Sequence, residues 1–146
     1  SIHIIESKAM QTGKVSADAY ALMAEDLEKS IDKKGHVIVE GIYFDTDKAV
    51  LKPESKLAVS ELAKFLNSRP DLLVYVVGHT DTQGDLRYNV TLSKNRAKAV
   101  VKELVSVHGI AKDRLSGQGL GPLAPQATNV TEAGRALNRR VVLVAR

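Results

Sequence analysis

The chain has 146 residues, 21 Lys+Arg against 17 Asp+Glu for a net charge of +4, and no cysteine. A chain of that length suits one domain with an appendage and buries roughly 70% of its unfolded surface, and no apolar run in it approaches the roughly 20 residues needed to cross a bilayer. The missing cysteines exclude disulfides, thiolate zinc sites and a thiol nucleophile, and aromatic residues at 4% argue against a surface that stacks single-stranded bases.

Ser1 opens the chain without an initiator Met or an apolar leader, so a signal or lipid anchor would lie upstream. "SIHIIES" alternates briefly, as a strand remnant of a preceding domain or an irregular start. From Ser16, a potential N-cap, Tyr20, Met23, Ala24, Leu27 and Ile31 fall at helical spacing, with Gly35 as the stop. "HVIVEGIYF", from His36 to Phe44, reads as a strand. "DTDKAVLKPES" reads as a turn into a helix opened by Pro53, whose apolar stripe is Ala58, Leu62, Phe65 and Leu66.

After Pro70, "LLVYVVG" is a nearly continuous apolar run, expected as a central strand covered on both faces. The next helix is expected to be capped by Ser93, with Ala97, Val100, Val101, Leu104 and His108 on its face and Gly109 as its stop. "DRLSGQGLGP" then reads as a short strand entering a Gly/Pro loop, "TEAGRALN" as a short helix and "RRVVLVA" as a last strand. A helix followed by β-α-β-α-β-α-β order predicts a sheet with helices packed on it, α/β or α+β, without fixing strand order.

Two charged residues frame the third connection. Asp81 follows the expected central strand, and a cap at Ser93 would put Arg96 in the first helical turn, where unpaired N–H groups favour anions and disfavour cations. A cation there makes sense if an anion binds: the guanidinium offers a forked pair of donors to a carboxylate, and Asp81 offers an acceptor to an ammonium, with Thr80 and Asn89 close in sequence. Together the two would read a zwitterion. In the competing reading Asp81 and Arg96 pair with each other, and spacing does not separate the two.

Other constellations carry less. His79 with Asp81 could be cast as a metal or catalytic pair, but His3, His36 and His108 fall in separate elements without ligand spacing, so no metal site is expected. Ser93 lacks a Gly-x-Ser-x-Gly elbow. "GQGLGP" has no helix opening on its last glycine and no Lys-Ser/Thr pair, so it reads as a turn-rich connection and not a phosphate loop. Lys94, Lys98, Lys102, Arg135, Arg139 and Arg140 could form a basic face for nucleic acid or simply a solvated surface.

Five segments, "YFDTDKAVLKPES", "VVGHTDTQG", "NVTLSKNRAKAVVKEL", "GQGLGPLAP" and "TEAGRALNRRVVLV", taken in this order, resemble the OmpA-like peptidoglycan-binding domain, a family that includes peptidoglycan-associated lipoproteins and flagellar-stator MotB proteins. The resemblance implies an α+β sandwich with a mixed four-stranded sheet over residues 36–146, preceded by an extra N-terminal helix in residues 1–35. That extension would either pack on the domain or link it to another.

The resemblance further implies no catalysis and no cofactor, a periplasmic location at the outer membrane and cell wall of a Gram-negative bacterium, and non-covalent capture of the meso-diaminopimelate in peptidoglycan stem peptides. By motif, Asp81 would hold the ammonium and Arg96 the carboxylate. Asn89, Thr80 and Leu92 would line the pocket, and Arg139 would add a donor from the last strand. Phe44 and Asp45 match the family's aromatic-aspartate pair, and Asp47 stands where relatives often have Asn. A nucleic-acid-binding domain and a hydrolase using His79 and Asp81 are the alternative readings.

Overall fold

The computed structural model describes residues 17–146. The alternation in "SIHIIES", the Ser16 cap and His3 lie outside the described residues. The elements run α1 (Ala17–Lys34), β1 (His36–Val39), a 3-10 turn (Pro53–Ser55), α2 (Lys56–Ser68), β2 (Val74–His79), α3 (Leu86–Ser106), a second 3-10 turn (Lys112–Arg114), β3 (Leu115–Gly121), α4 (Glu132–Asn138) and β4 (Val141–Ala145). The sheet order is β1-β4-β2-β3: β4 runs antiparallel to both β1 and β2, and β2 runs parallel to β3. The fold is therefore α+β with a mixed four-stranded sheet.

One sheet face carries the core. Val37 and Val39 of β1, Val74 and Val76 of β2, Leu115 of β3 and Val141 and Leu143 of β4 join Val59, Leu62, Phe65 and Leu66 of α2 and Ala97, Val100 and Leu104 of α3 in a single cluster. Leu27 and Ile31 of α1 belong to that cluster too. Helix α1 stops where a left-handed Gly35 (φ 75°) returns its N–H to Ile31 O at 3.1 Å. Arg69, just past α2, draws the two helices together by reaching Glu28 at 4.0 Å and Asp32 at 3.1 Å.

Three expectations need correction. The strand expected from His36 to Phe44 ends at Val39, because Gly41 adopts φ 84° and turns the chain; Phe44 then makes only an isolated bridge to Leu51. β2 is central but is not covered on both faces, for Tyr75 is 38% exposed and has the Arg146 guanidinium 5.5 Å above its ring. The run from Gly117 to Gly121, expected as a loop, is part of strand β3. Helix α3 lies so close to the sheet here that a Cβ on Gly119 would overlap the Lys94 backbone nitrogen, and one on Gly78 would overlap Ser93 O.

Two polar groups, the half-buried Arg114 and the buried His79, bear on the stability of this frame. Arg114 caps the end of α2 from a distance, donating to Leu66 O (2.9 Å), Arg69 O (2.7 Å) and Leu72 O (3.1 Å). Leu66 O also accepts the Arg69 N–H and Arg69 O the Leu72 N–H, so the guanidinium ties the end of α2 to the turn that follows it. His79, the last residue of β2, is 6% exposed, and its Nδ1 has no hydrogen-bond partner. Burial, reinforced by the nearby Arg140 charge, lowers its pKa from 6.5 to about 4.

Arg114→Ala should lower the free energy of unfolding in urea by about 2 kcal/mol, and Arg114→Lys should recover only part of it, because an ammonium cannot fork across three carbonyls. For His79 the folded pKa lies below the unfolded one. Between pH 6.5 and 4 the unfolded chain therefore takes up a proton that the native state refuses. Stability present above that window is lost as pH falls through it, with a slope approaching about 1.4 kcal/mol per pH unit from this group. Urea titrations of wild type and His79→Gln from pH 7.5 to 4 should diverge by that slope; parallel curves would show that His79 takes no part in acid sensitivity.

Candidate functional site

The end of β2 delivers the first site residues. Thr80 extends the strand by donating its N–H to Gly121 O at 2.9 Å, and its hydroxyl donates to Asp81 O at 2.8 Å. Asp81 is 7% exposed. Its Oδ1 accepts the Gln83 N–H at 2.9 Å and its Oδ2 accepts Arg139 Nη1 at 2.7 Å, so both oxygens are satisfied and the carboxylate is fixed in direction. Asn89 steadies the connection between strand and helix, its Nδ2 donating to Gln83 O at 2.8 Å.

Helix α3 does not begin at Ser93. It begins at Leu86, capped by Asp85, whose carboxylate accepts the Tyr88 N–H at 3.1 Å. Ser93 is instead wholly buried inside the helix, where its hydroxyl donates to Val90 O at 2.8 Å and accepts Gly121 N–H at 2.9 Å. Asn89 and Ser93 occupy the same inward stripe as Ala97, Val100 and Leu104. Two polar members of a buried face had concealed its first turns.

Arg96 consequently sits in the third turn of α3, away from the unpaired N–H groups of the helix start. The expectation that those groups and Arg96 jointly receive an anion is corrected: the guanidinium alone is available for that purpose. It is held by the loop after β1, with Nε donating to Lys48 O at 2.8 Å and Nη2 to Asp45 O at 3.1 Å, and it stacks 5.1 Å from the centroid of the Phe44 ring. Two of its five N–H donors are used in this way, which leaves the Nη1 edge with no hydrogen-bond partner among the described residues. Burial lowers the Arg96 pKa, with Asp47 and Asp81 opposing that shift and Arg139 adding to it. Asp81, Arg139 and Arg96 therefore share one electrostatic neighbourhood.

The competing reading, in which Asp81 and Arg96 pair with each other, does not describe the site. Asp81 is paired with Arg139, and no ion pair within 4.0 Å joins it to Arg96 among the described residues. Arg139 lies in the turn after α4 and not on the last strand, and its Nη2 also donates to Glu132 Oε2 at 2.6 Å. Asp45 contributes its carbonyl, while its exposed carboxylate pairs with Lys52 at 3.2 Å. Asp47 adopts φ 59°, a left-handed conformation that Asn and Asp tolerate better than other non-glycine residues. Leu92 is half-buried in α3.

Sequence reasoning did not identify Glu132. The available signal was its spacing of seven from Arg139, two helical turns, at the opening of a short helix. The expected basic face is not continuous either. Arg135 is committed to Glu132 and to the carbonyls of Asn129 and Val130, Arg139 to Asp81 and Glu132, and Arg140 to the carbonyls of Ala124 and Asn138. Only Lys94, Lys98 and Lys102 remain as exposed cations of that set on α3. His79 is too enclosed to exchange protons with a substrate, and among the described residues no group of three or more His, Cys, Asp or Glu could hold a metal ion.

Comparison with known proteins agrees with this architecture. The chain is 47% identical over 100 residues to outer membrane porin F of Pseudomonas fluorescens, covering 68% of this chain and 30% of the relative. It is 41% identical over 103 residues to the peptidoglycan-binding protein ArfA of Mycobacterium tuberculosis, covering 70% of this chain and 31% of that one. It thus spans about a third of the length of these relatives. The crystal structure of the peptidoglycan-associated lipoprotein from Burkholderia pseudomallei superposes with a TM-score of 0.65 at 32% identity, over 72% of this chain and 88% of that one. The OmpA family model matches residues 43–139, which include Phe44, Asp81, Arg96 and Arg139, and on that match the chain belongs to the OmpA family.

Proposed function

We propose that residues 36–146 form a non-catalytic module that binds peptidoglycan through the meso-diaminopimelate of the stem peptide and anchors an envelope protein to the cell wall. One observation carries the reading. An almost fully buried carboxylate, Asp81, and a partly desolvated guanidinium, Arg96, share one end of the sheet, each fixed by its own protein contacts and not by the other. The side-chain end of diaminopimelate bears an ammonium and a carboxylate on one carbon. Asp81 would accept from the ammonium, and the unpartnered Nη1 edge of Arg96 would donate to the carboxylate. Thr80, Asn89 and Leu92 would line the pocket, and Phe44, Asp45 and Asp47 belong to the loop that positions Arg96. Relatives named as an outer-membrane porin and a peptidoglycan-binding protein support a periplasmic location facing the wall.

Sedimentation with purified sacculi tests the module as a whole: the protein should pellet with them and release no soluble fragments. Failure to pellet, or cleavage of the wall, would contradict the reading. Asp81→Asn, which keeps the side-chain shape, and Arg96→Ala should each cost about 2–5 kcal/mol of binding, or on the order of 30-fold or more. Arg96→Ala should also loosen the loop at residues 45–48, visible as faster amide exchange there, whereas Asp81→Asn should not.

Calorimetry with matched stem peptides tests the chemistry of the ligand. Diaminopimelate should bind best. The peptide amidated at the diaminopimelate side-chain carboxylate should bind more weakly, and the lysine peptide weakest, because it lacks the group that Arg96 would meet. Equal affinities across the three would remove diaminopimelate from the account even if sedimentation persisted.

A further inference from the structure

We propose that Glu132 sets the charge preference of this site, making it select a zwitterion over an anion by acting on Asp81 through Arg139. The inference rests on the diaminopimelate reading and adds a residue to which the family resemblance gives no role. Glu132 opens α4, next to the Thr131 cap that accepts the Gly134 N–H at 3.1 Å. Its Oε2 holds Arg139 Nη2 at 2.6 Å, while Arg139 Nη1 holds Asp81 Oδ2 at 2.7 Å. One guanidinium thus bridges two carboxylates through two different nitrogens.

That bridge has two effects, and both act on the ammonium. The first is charge. Asp81 with Arg139 alone is a neutral pair whose cation would repel an arriving ammonium; Glu132 restores a net negative charge to the trio. With Arg96 included, the four charges sum to zero, matching a ligand end that is itself neutral overall. Arg135 on Glu132 Oε1 and Asp47 beside Arg96 add one charge of each sign and leave the sum unchanged.

The second effect is geometric. A guanidinium tends to close on a carboxylate with two parallel N–H donors. Glu132 occupies one arm of the fork, so Arg139 makes a single bond to Asp81, whose other oxygen receives only the Gln83 N–H. With the Glu132 side chain removed, Arg139 is free to close on both oxygens of Asp81 and compete with the ligand; with only its charge removed, the arm stays occupied and the charge effect alone is lost.

The experiment is calorimetry at low salt on wild type, Glu132→Gln and Asp81→Asn, with two stem peptides: one carrying the free diaminopimelate side-chain amine, the other acetylated on that amine. Glutamine keeps an oxygen for Arg139 and removes only the charge. Glu132→Gln should weaken the free-amine peptide by about threefold, as suits an exposed ionic partner, leave the acetylated peptide unweakened, and lose this difference in 0.5 M salt. In an Asp81→Asn background the substitution should still weaken the free-amine peptide, because the Arg139 charge that it uncovers repels the ammonium directly.

Equal weakening of both peptides would mean that Glu132 merely supports the end of α4, and no change with either would mean that its charge is not felt; each outcome overturns this inference and leaves the diaminopimelate reading intact. A wild-type protein that fails to distinguish the two peptides would overturn both.

Discussion

The structure depends on how closely α3 lies on the β2–β3 pair. Glycines at 78 and 119 leave no side chain between sheet and helix, and the buried Ser93 hydroxyl completes the contact by accepting the Gly121 N–H. That approach is what brings the end of a central strand and the third turn of a helix to one place. Any residue with a Cβ at 78 or 119 would push the helix outward and separate Asp81 from Arg96 before it touched either of them. The packing of the core and the placing of Asp81 near Arg96 are one constraint.

At this end of the sheet, protein contacts hold each charged group in place. A buried carboxylate is costly unless its oxygens are satisfied, and Asp81 is satisfied by one backbone N–H and one arginine. Arg96 is ordered by two carbonyls and an aromatic ring, so little side-chain entropy would remain to be lost if an anion met its open edge. Each ionic group thus has a protein contact that sets its direction. The same contacts connect segments distant in sequence in two pairs: the loop after β1 with α3, and the end of β2 with the turn after α4.

Much of this could be read from residue patterns. The helix and strand order followed from apolar periodicity and from Gly35, Pro53, Pro70 and Gly109, and Asp81 and Arg96 stood out by residue type and by motif. What escaped had specific physical causes. Asn89 and Ser93 are polar yet buried, so periodicity in apolar residues began α3 too late and placed Arg96 in the wrong turn. Gly41 curtailed β1 through a positive φ that composition alone does not reveal. The Asp81–Arg139 pair joins residues 58 apart, and nothing local to either names the other. Tyr75 read as buried because it lies in an apolar run, although the second sheet face is open at that level.

Sheet order also determines how this domain would carry a load. β1 sits at one edge, pairs only with β4, and receives the chain from α1 at His36, which is level with Val144 and, across β4, with Tyr75. Asp81 lies beyond the opposite end of β2. β1 and β2 run in the same direction, so a pull applied between His36 and a ligand held at Asp81 would act along the strands and not across them. The β1–β4 and β4–β2 ladders would then be strained in shear, with all their rungs sharing the force, and would not open one rung at a time from an end.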